Sequence, residues 1–508
     1  MVSCPHELAS QAGAQVLRDG GSAVDAALAA AATLGVVYPH MCSLGGDAFW
    51  LIYDAAARKV SYLDGGGRAA ASATLARVKE IPFRGLTPAT LTTPGAVASF
   101  CEAHARFGKL PLARCLEPAI HYARDGYPVT PRLSRWIAET ATDLAQDPAS
   151  AALFPAGQSQ LANPALARTL EAVAAEGRAG FYDGEIAAEL AKLGGFFTQS
   201  DLAAQRAHWG EPLRGTYRGV TIYETPPPTQ GCAVLEMLNL IEPLELGPFL
   251  GPDHVHLLVQ AKQIAYHDRD RWLADPRFAE VPVERLISKS HAAERRRLID
   301  PKRALAWDKV PSYGSLTGDT VNVAAVDAEG NAASLIFSLY GIFGACITSA
   351  ATGVVLQNRG AYFSLDPSHP NRLEPGKVPL HTLIASLAFK ADRLWAVLGC
   401  MGADGQPQIH LQTYVAMIDY GRDIQRAIAG PRWLSGRFAL GEARDTLHIE
   451  ARYPRETIDE LERRGHLVDR WGDWNELAGH AHGITIDPET GMRSGGYDPR
   501  SDGAAVGY

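Results

Sequence analysis

The chain has 508 residues and a formal net charge of −8 at pH 7. Its 46% hydrophobic and 20% charged residues are typical of a soluble globular enzyme, and the length is enough for two domains or one large layered body. The negative net charge argues against nucleic acid as the main partner, because phosphate binding requires a basic face.

The seven cysteines are scattered along the chain without any CxxC pair. This spacing favours reduced thiols in a cytoplasmic protein over a disulfide framework or a zinc site. The Ala-rich stretch "SAVDAALAAAATLGVV" contains Asp25 and is too short to span a bilayer. We therefore predict a buried helix there, a protein without membrane partners and a cytoplasmic location.

The first three-fifths of the chain favours helices with a few strands. "HELASQAGAQVLRDGG" has helical spacing and ends in glycine, and strands are predicted over Phe49–Tyr53 and Val60–Leu63. Residues 94–206 are mostly helical in pattern, and "GVTIYE" is a strand that three prolines end. One long helical stretch is predicted from 232 to 274, followed by a polar, poorly patterned segment over 289–318.

After Thr320 the pattern changes to strands. They are predicted in "VNVAAVDAEG", "AASLIFSLYG", "TGVVLQNRG", "TLIASLAFK" and "RLWAVLGCMG", before a helix over 406–419 and a final α/β segment. Strand-rich regions flanked by helices predict an α+β fold, in which two sheets are covered by helices as an αββα sandwich.

Several possible catalytic or binding patterns are absent or incomplete. His254, His256 and His267 do not have the spacing of a metal motif. The Gly-rich turns at 44–47 and 398–405 fit neither GxGxxG nor a P-loop, and neither GxSxG nor HExxH occurs. We therefore expect no metal and no cofactor.

Thr320 stands at the first position of a predicted strand, directly after Asp319. A threonine at a chain start can provide both catalytic groups, because Oγ is the nucleophile and the free α-amine, with a pKa of about 7.7–8.0, is the base. Such a residue must first be exposed by cutting the chain before it. By its position alone, Thr320 could equally be an ordinary residue at the start of a strand.

The surrounding motifs resemble those of the γ-glutamyltransferase superfamily. "TVNVAAVDAEGNAASLIFSLYGIFG" is similar to the start of its small subunit, and further matches follow the family order in "LRDGGSAVDAALA", "SLGGDAFWLIYD", "TTPGAVASF", "YETPPPTQG", "HPNRLEPGKVPL" and "GGYDPRSDGAAVGY". The resemblance implies an N-terminal-nucleophile hydrolase fold made as one precursor. Cleavage between Asp319 and Thr320 would give a large subunit, 1–319, and a small catalytic subunit, 320–508.

The resemblance also implies roles for individual residues. Thr320 corresponds to the nucleophile, and Ser338 to the family threonine that hydrogen-bonds the nucleophile and assists processing. Gly402 and Ala403 correspond to the Gly-Gly pair whose backbone N–H groups form the oxyanion hole.

The residues that hold the γ-glutamyl group in the family are replaced in this chain. Gly66 stands at the register of the arginine that binds the α-carboxylate, and Tyr362 replaces the aspartate that binds the α-ammonium. An ammonium without an acidic partner is costly to bury, so γ-glutamyl groups should bind poorly. The predicted substrate-binding residues are Arg68, Tyr340, Arg359, Tyr362, His381 and Thr382. The segment 364–379 is also shorter than in family members with a lid loop, which implies a more open site.

These features are closest in character to the γ-glutamyltransferase-like amidohydrolases and acylases, such as oxamate amidohydrolase. The predicted function is hydrolysis of a small amide, such as oxamate or a dicarboxylic mono-amide, through an acyl-enzyme. The predicted assembly is a heterodimer of the two processed subunits, with a further dimer left open. One alternative is a true γ-glutamyltransferase or glutathione hydrolase, with Arg68 in place of the missing arginine. The other is an unprocessed pseudoenzyme that acts as a binding subunit.

Overall fold

Two large sheets lie face to face, and helices cover the outer side of each. The computed structural model of the uncut chain describes residues 1–84, 90–193, 197–305, 319–437 and 446–508. This arrangement confirms the predicted αββα sandwich.

The first sheet contains the strand that begins just before Thr320. Every pair of adjacent strands in this sheet is antiparallel. In spatial order its strands are Ala504–Val506, Val2–Cys4, Asp319–Val326, Ala332–Tyr340, Asp47–Asp54, Lys59–Gly65 and His208–Gly210. All eight residues of Asp319–Val326 are buried, because the strand is central in the sheet and both sheet faces are covered.

The second sheet is also antiparallel. In spatial order its strands are Arg493–Tyr497, Ala481–Ile486, Arg393–Cys400, Ala385–Lys390, Val220–Glu224 and Leu213–Tyr217. Apolar side chains such as Phe49, Ile336 and Leu387 fill the space between the two sheets. The alternation of inward and outward residues along each strand produces this layer.

Helices from the first half of the chain pack on the first sheet. They are Glu7–Arg18, Ala23–Val37, Ala96–Phe107, Leu112–Asp125, Pro131–Glu139, Ala141–Leu144, Pro148–Leu153, Pro164–Glu176, Ala179–Tyr182, Gly184–Ala191 and Gln199–Ala204. Every residue of Ala23–Val37 is buried, which confirms the prediction for the Ala-rich stretch. No helix in the described ranges carries an apolar run long enough to cross a bilayer.

The remaining helices are mostly associated with the second sheet. They are Gly231–Ile241, Pro252–Trp272, Val283–Leu286, Lys289–Arg295, Gln406–Ile418, Ile424–Ile428 and Arg455–Arg463, with 3₁₀ turns at Arg296–Leu298, Arg359–Tyr362, Ala403–Gly405 and Glu476–Ala478. Smaller sheets join Trp433–Ser435, Thr446–Glu450 and Leu467–Trp471, and join Tyr127–Pro128 and Gln160–Leu161.

Three predictions of secondary structure need correction or lie partly outside the described residues. The stretch 232–274 forms two helices, separated by a turn that contains Pro248 and Gly251. "TGVVLQNRG" is not a strand; it makes single bridges, as at Gly45–Leu356, and runs into the turn Arg359–Tyr362. The segment 289–318 begins with the helix Lys289–Arg295, and its residues 306–318 lie outside the described ranges.

Candidate active site

Thr320 is buried at the start of the central strand, where two side chains contact its hydroxyl. Thr320 Oγ1 donates to Ser338 Oγ at 3.2 Å. Gln406 Nε2 donates to Thr320 Oγ1 at 3.4 Å. The structure therefore brings together the predicted nucleophile and its predicted partner. Gln406 was not predicted, although it follows the Gly402–Gly405 turn directly.

A break in strand pairing positions Ser338 next to Thr320. The register between the two strands shifts between Phe337 and Tyr340, which opposes Asp319. Tyr340 has a φ of +79°, a conformation rare for a residue with a side chain. Bulges of this kind redirect side chains and are common beside active sites.

Ser338 also contacts the peptide bond that precedes Thr320. Its hydroxyl donates to the Asp319 carbonyl oxygen at 2.5 Å and accepts from the Tyr340 N–H at 2.7 Å. One side chain therefore touches both the oxygen of the predicted nucleophile and the carbonyl that this oxygen would attack. Ser338 is placed to transfer a proton between them.

The Asp319 side chain is buried at this junction. Burial raises the pKa of its carboxyl group well above the usual range, although the Arg84 charge acts in the opposite direction. Its Oδ2 has no hydrogen-bond partner among the described residues. A buried carboxyl group with a raised pKa therefore flanks the bond between Asp319 and Thr320.

Gly402 and Ala403 form a turn with unusual backbone angles. Their φ values are +142° and +45°, and the helix Gln406–Ile418 begins immediately afterwards. Within the described ranges, neither amide donates to a protein acceptor. Free N–H groups near a helix N-terminus attract negative charge. The turn can therefore serve as an oxyanion hole.

Gln230 fixes this turn to the rest of the site. Its Nε2 donates to the carbonyl oxygens of Ala403 at 3.0 Å and Thr382 at 2.8 Å. Its Oε1 accepts from Arg269, which also pairs with Asp404 at 2.9 Å. No role was predicted for Gln230, although it lies within the matched motif "PPPTQG".

Arg359, one of the predicted binding residues, is hydrogen-bonded to the serine that contacts Thr320. Nη2 donates to Ser338 Oγ at 3.3 Å, and Nη1 donates to Thr382 Oγ1 at 3.0 Å. The guanidinium lies 4.3 Å from the centroid of the Tyr340 ring. The residue is 0% exposed, and burial lowers its pKa to about 10.

Arg359 forms no ion pair within the part of the chain that the structure describes, and its Nε lacks a hydrogen-bond partner there. Three other deeply buried arginines all contact carboxylates: Arg269 with Asp404 and Asp270, Arg432 with Asp498, and Arg500 with Asp498 and Glu450. Buried charges are normally paired, because an isolated one loses its hydration without compensation. Arg359 departs from this pattern.

Asp47 and His381 form a buried pair beside Ser338. Asp47 Oδ2 lies 2.9 Å from His381 Nε2, and Asp47 opposes Ser338 in the neighbouring strand. Burial raises the pKa of Asp47 to about 7, while Arg359 acts to lower it. Burial lowers the pKa of His381 well below its usual range. Asp47 was not predicted, although it ends the matched turn "LGGD".

Two tyrosines complete the site. The Tyr362 hydroxyl donates to Asp404 Oδ1 at 2.7 Å, and its ring lies 5.5 Å from the Tyr340 ring. Burial raises the pKa of both phenols, so both are neutral. They provide an aromatic surface beside the Arg359 guanidinium.

Arg68 lies apart from this group. Its guanidinium contacts His208, and its N–H donates to Thr93 Oγ1 at 3.0 Å. A Cβ atom at Gly66 would lie 2.8 Å from Val378 Cγ1, so the position that replaces the family arginine has little room for a side chain. The structure thus gathers Tyr340, Arg359, Tyr362, His381 and Thr382 near Thr320, but not Arg68.

Two groups of side chains could in principle hold a metal: Asp25, His104 and Cys115, and Glu236, Asp268 and His291. His104 already donates to the Leu110 carbonyl at 2.8 Å. Asp268 already pairs with His291 at 2.8 Å and with Arg295 at 3.1 Å.

An αββα sandwich with a threonine at the start of a central strand is typical of the N-terminal-nucleophile hydrolase class. The chain belongs to the gamma-glutamyltranspeptidase family, whose sequence profile matches residues 9–508. It is accordingly a hydrolase of that family.

Relatives within the family include amidohydrolases and acylases. The chain is 40% identical to the oxamate amidohydrolase proenzyme of Klebsiella pneumoniae, over 100% of this chain and 98% of that protein. It is equally similar, with the same coverage, to the glutathione hydrolase-like YwrD proenzyme of Bacillus subtilis. The crystal structure of cephalosporin acylase from Bacillus halodurans superposes with a TM-score of 0.91 at 36% identity, over 99% of this chain and 94% of that one.

Proposed function

We propose that the chain is the precursor of an amidohydrolase that cuts itself between Asp319 and Thr320. The mature enzyme then hydrolyses a small amide whose acyl part carries a carboxylate, such as oxamate or a dicarboxylic mono-amide. The observation that carries this proposal is Arg359, a buried cation beside the nucleophile without a carboxylate partner among the described residues.

The chemistry follows from the groups around Thr320. After cleavage, the Thr320 α-amine takes the proton from Oγ, and Oγ attacks the amide carbonyl. The N–H groups of Gly402 and Ala403 hold the negative oxygen. The amine leaves with the proton, and water then hydrolyses the acyl-enzyme ester and restores the hydroxyl.

Arg359 would bind the substrate carboxylate. A carboxylate at the guanidinium would supply the anionic partner that the buried cation lacks in the described part of the chain, and arginine can bind it through two hydrogen bonds. The Tyr340 ring and the Thr382 hydroxyl hold the guanidinium in place. The affinity gained in this way would be specific for acyl groups that carry a negative charge.

A γ-glutamyl group should fit this site poorly. Its α-ammonium needs an acidic partner, but the two carboxyl groups that act electrostatically on Arg359 already have partners. Asp404 binds Arg269 and Tyr362, and Asp47 binds His381. The 40% identity to a protein named oxamate amidohydrolase supports the same substrate class.

The two products of cleavage should remain together as a heterodimer. Strand Asp319–Val326 is hydrogen-bonded between Val2–Cys4 and Ala332–Tyr340, so the proposed small subunit contributes central strands to a sheet shared with the large subunit. Separating the two subunits would expose the strand edges that now pair across them. It would also expose the apolar layer between the two sheets.

The first test is the substrate preference of the purified enzyme. Oxamate and oxamide differ only in that a neutral amide replaces the carboxylate. Loss of one partner of a buried charge pair costs about 2–5 kcal/mol, so kcat/KM should fall roughly 30- to 5,000-fold for oxamide. The kcat/KM for a glutaryl anilide should likewise exceed that for a γ-glutamyl anilide. Equal rates for oxamate and oxamide, or a clear preference for the γ-glutamyl compound, would contradict the proposal.

A further inference from the structure

Arg359 is connected to the peptide bond that the precursor must cut. Its Nη2 donates to Ser338 Oγ at 3.3 Å, and the Ser338 hydroxyl donates to the Asp319 carbonyl oxygen at 2.5 Å. Thr320 Oγ1 lies 3.2 Å from the same serine oxygen. A fixed positive charge therefore stands one side chain away from the carbonyl that Thr320 would attack.

We infer that Arg359 is a positioning residue for self-cleavage and that it acts through Ser338. This inference rests on the proposed cleavage at Asp319–Thr320 and goes beyond it. It gives the arginine one task before cleavage and another, carboxylate binding, in the mature enzyme.

The cleavage step can be written with Ser338 as the proton carrier. Thr320 Oγ forms a bond to the Asp319 carbonyl carbon and passes its proton to Ser338 Oγ. Ser338 passes its own proton to the Asp319 carbonyl oxygen, which gives a neutral tetrahedral intermediate. As the C–N bond breaks, that hydroxyl proton moves to the Thr320 nitrogen. Water then hydrolyses the resulting ester. The products are the main-chain carboxylate of Asp319, the Thr320 hydroxyl and the free α-amine of Thr320.

Arg359 favours this step for two reasons. Its charge stabilises the electron density that moves onto the Asp319 oxygen and Ser338 in the transition state, and the site is buried enough for this interaction to be strong. Its hydrogen bond also orients Ser338 between donor and acceptor. The second contact of the guanidinium, to Thr382 Oγ1, fixes its position.

The same geometry explains why the two tasks do not conflict. In the uncut chain, Ser338 receives the Arg359 hydrogen bond while it contacts the Asp319 carbonyl. Cleavage ends the peptide link between Asp319 and Thr320. After cleavage, a substrate carboxylate can bind the Arg359 guanidinium. The maturation step itself needs no such carboxylate.

The test measures the rate of cleavage in freshly synthesised full-length chain, made by cell-free translation and followed by intact mass. The variants are Arg359→Met, Arg359→Lys, Ser338→Ala and the Ser338→Ala/Arg359→Met double variant. The exposed Arg168→Met is the matched control and should cleave at the wild-type rate.

We expect Arg359→Met to cleave at least about tenfold more slowly than wild type, a smaller loss than the 10²–10³ typical of a direct oxyanion donor. Arg359→Lys should recover most of the rate, because lysine keeps a cationic donor. In the Ser338→Ala background, Arg359→Met should cause little further loss, since residues that act through one another are not additive. Circular dichroism of each chain checks folding.

Three results would overturn the inference. They are wild-type cleavage in Arg359→Met, no recovery in a folded Arg359→Lys, and full additivity with Ser338→Ala. The first would leave the proposed function intact, and the cut variant could be assayed on oxamate directly. A wild-type chain that remains whole would instead remove the proposed self-cleavage, and this inference with it.

Discussion

Two buried arginines in the site should respond differently to the same substitution. Arg359 has no carboxylate partner among the described residues, whereas Arg269 pairs with Asp404 at 2.9 Å and Asp270 at 2.7 Å. We predict that Arg359→Met leaves thermal stability nearly unchanged and that Arg269→Met lowers it clearly. Both should be made in the Thr320→Ala chain, so that cleavage does not alter the comparison.

The magnitudes follow from what each arginine contacts. Burial lowers the pKa of Arg359 to about 10, which corresponds to a cost of roughly 3 kcal/mol for keeping the cation in the fold. Methionine removes that cost but also two hydrogen bonds, of about 1 kcal/mol each, and a cation–π contact of about 1–2 kcal/mol. The net change should be within about 1 kcal/mol of zero. Arg269→Met removes the cation that pairs with the buried Asp404 and Asp270 carboxylates, and breaking such a buried ion pair costs about 3–5 kcal/mol.

The assay is the melting temperature, Tm, from differential scanning calorimetry. An unfolding entropy of about 2.1 cal/mol/K per residue makes each kcal/mol worth roughly 1 °C in a chain of this size. Arg269→Met should therefore lower Tm by about 3–5 °C, and Arg359→Met should change it by about 1 °C or less. An equal fall in both variants would refute the reasoning, because it would show that Arg359 is also compensated in the fold.

Three further predictions concern maturation, the oxyanion turn and pH. Wild-type protein should give two chains by intact mass, 1–319 and 320–508, and Thr320→Ala should give one; a wild-type chain that stays whole on incubation contradicts this. Gly402→Ala should lower kcat at least about tenfold, because φ is +142° at that position and a side chain would strain the turn. Ala403→Gly should keep its activity, because a φ of +45° suits glycine. Equal activity in both variants would argue against the oxyanion assignment. Burial raises the pKa of Asp47 to about 7, so the folded chain keeps a proton that the unfolded chain loses from about pH 4 upward. This group's contribution to stability should fall as pH rises from about 4 to 7, and Tm of Asp47→Asn should fall less over that range; parallel Tm profiles would exclude the effect.

The general fold and the position of Thr320 at the start of a central strand could be predicted from the sequence because their signals are local. Strand and helix periodicities, and ordered motifs around Thr320, depend on residues close together in the chain. The Ala-rich helix, the strands that follow it and the αββα layers all appear in the structure. The break at 242–251 was missed because the apolar pattern on both sides of it looks like one long helix.

The contacts within the candidate site were decided only by the tertiary structure. Both Arg68 and Arg359 were candidate cations in the sequence, and nothing local distinguished them. Folding places Arg359 against Ser338 and Thr382, 21 and 23 residues away, and turns Arg68 toward His208. Asp47 and His381 meet across 334 residues. Burial and ion pairing depend on distant parts of the chain packed around a side chain. That Arg359 has no carboxylate partner among the described residues could therefore be recognised only in the folded chain.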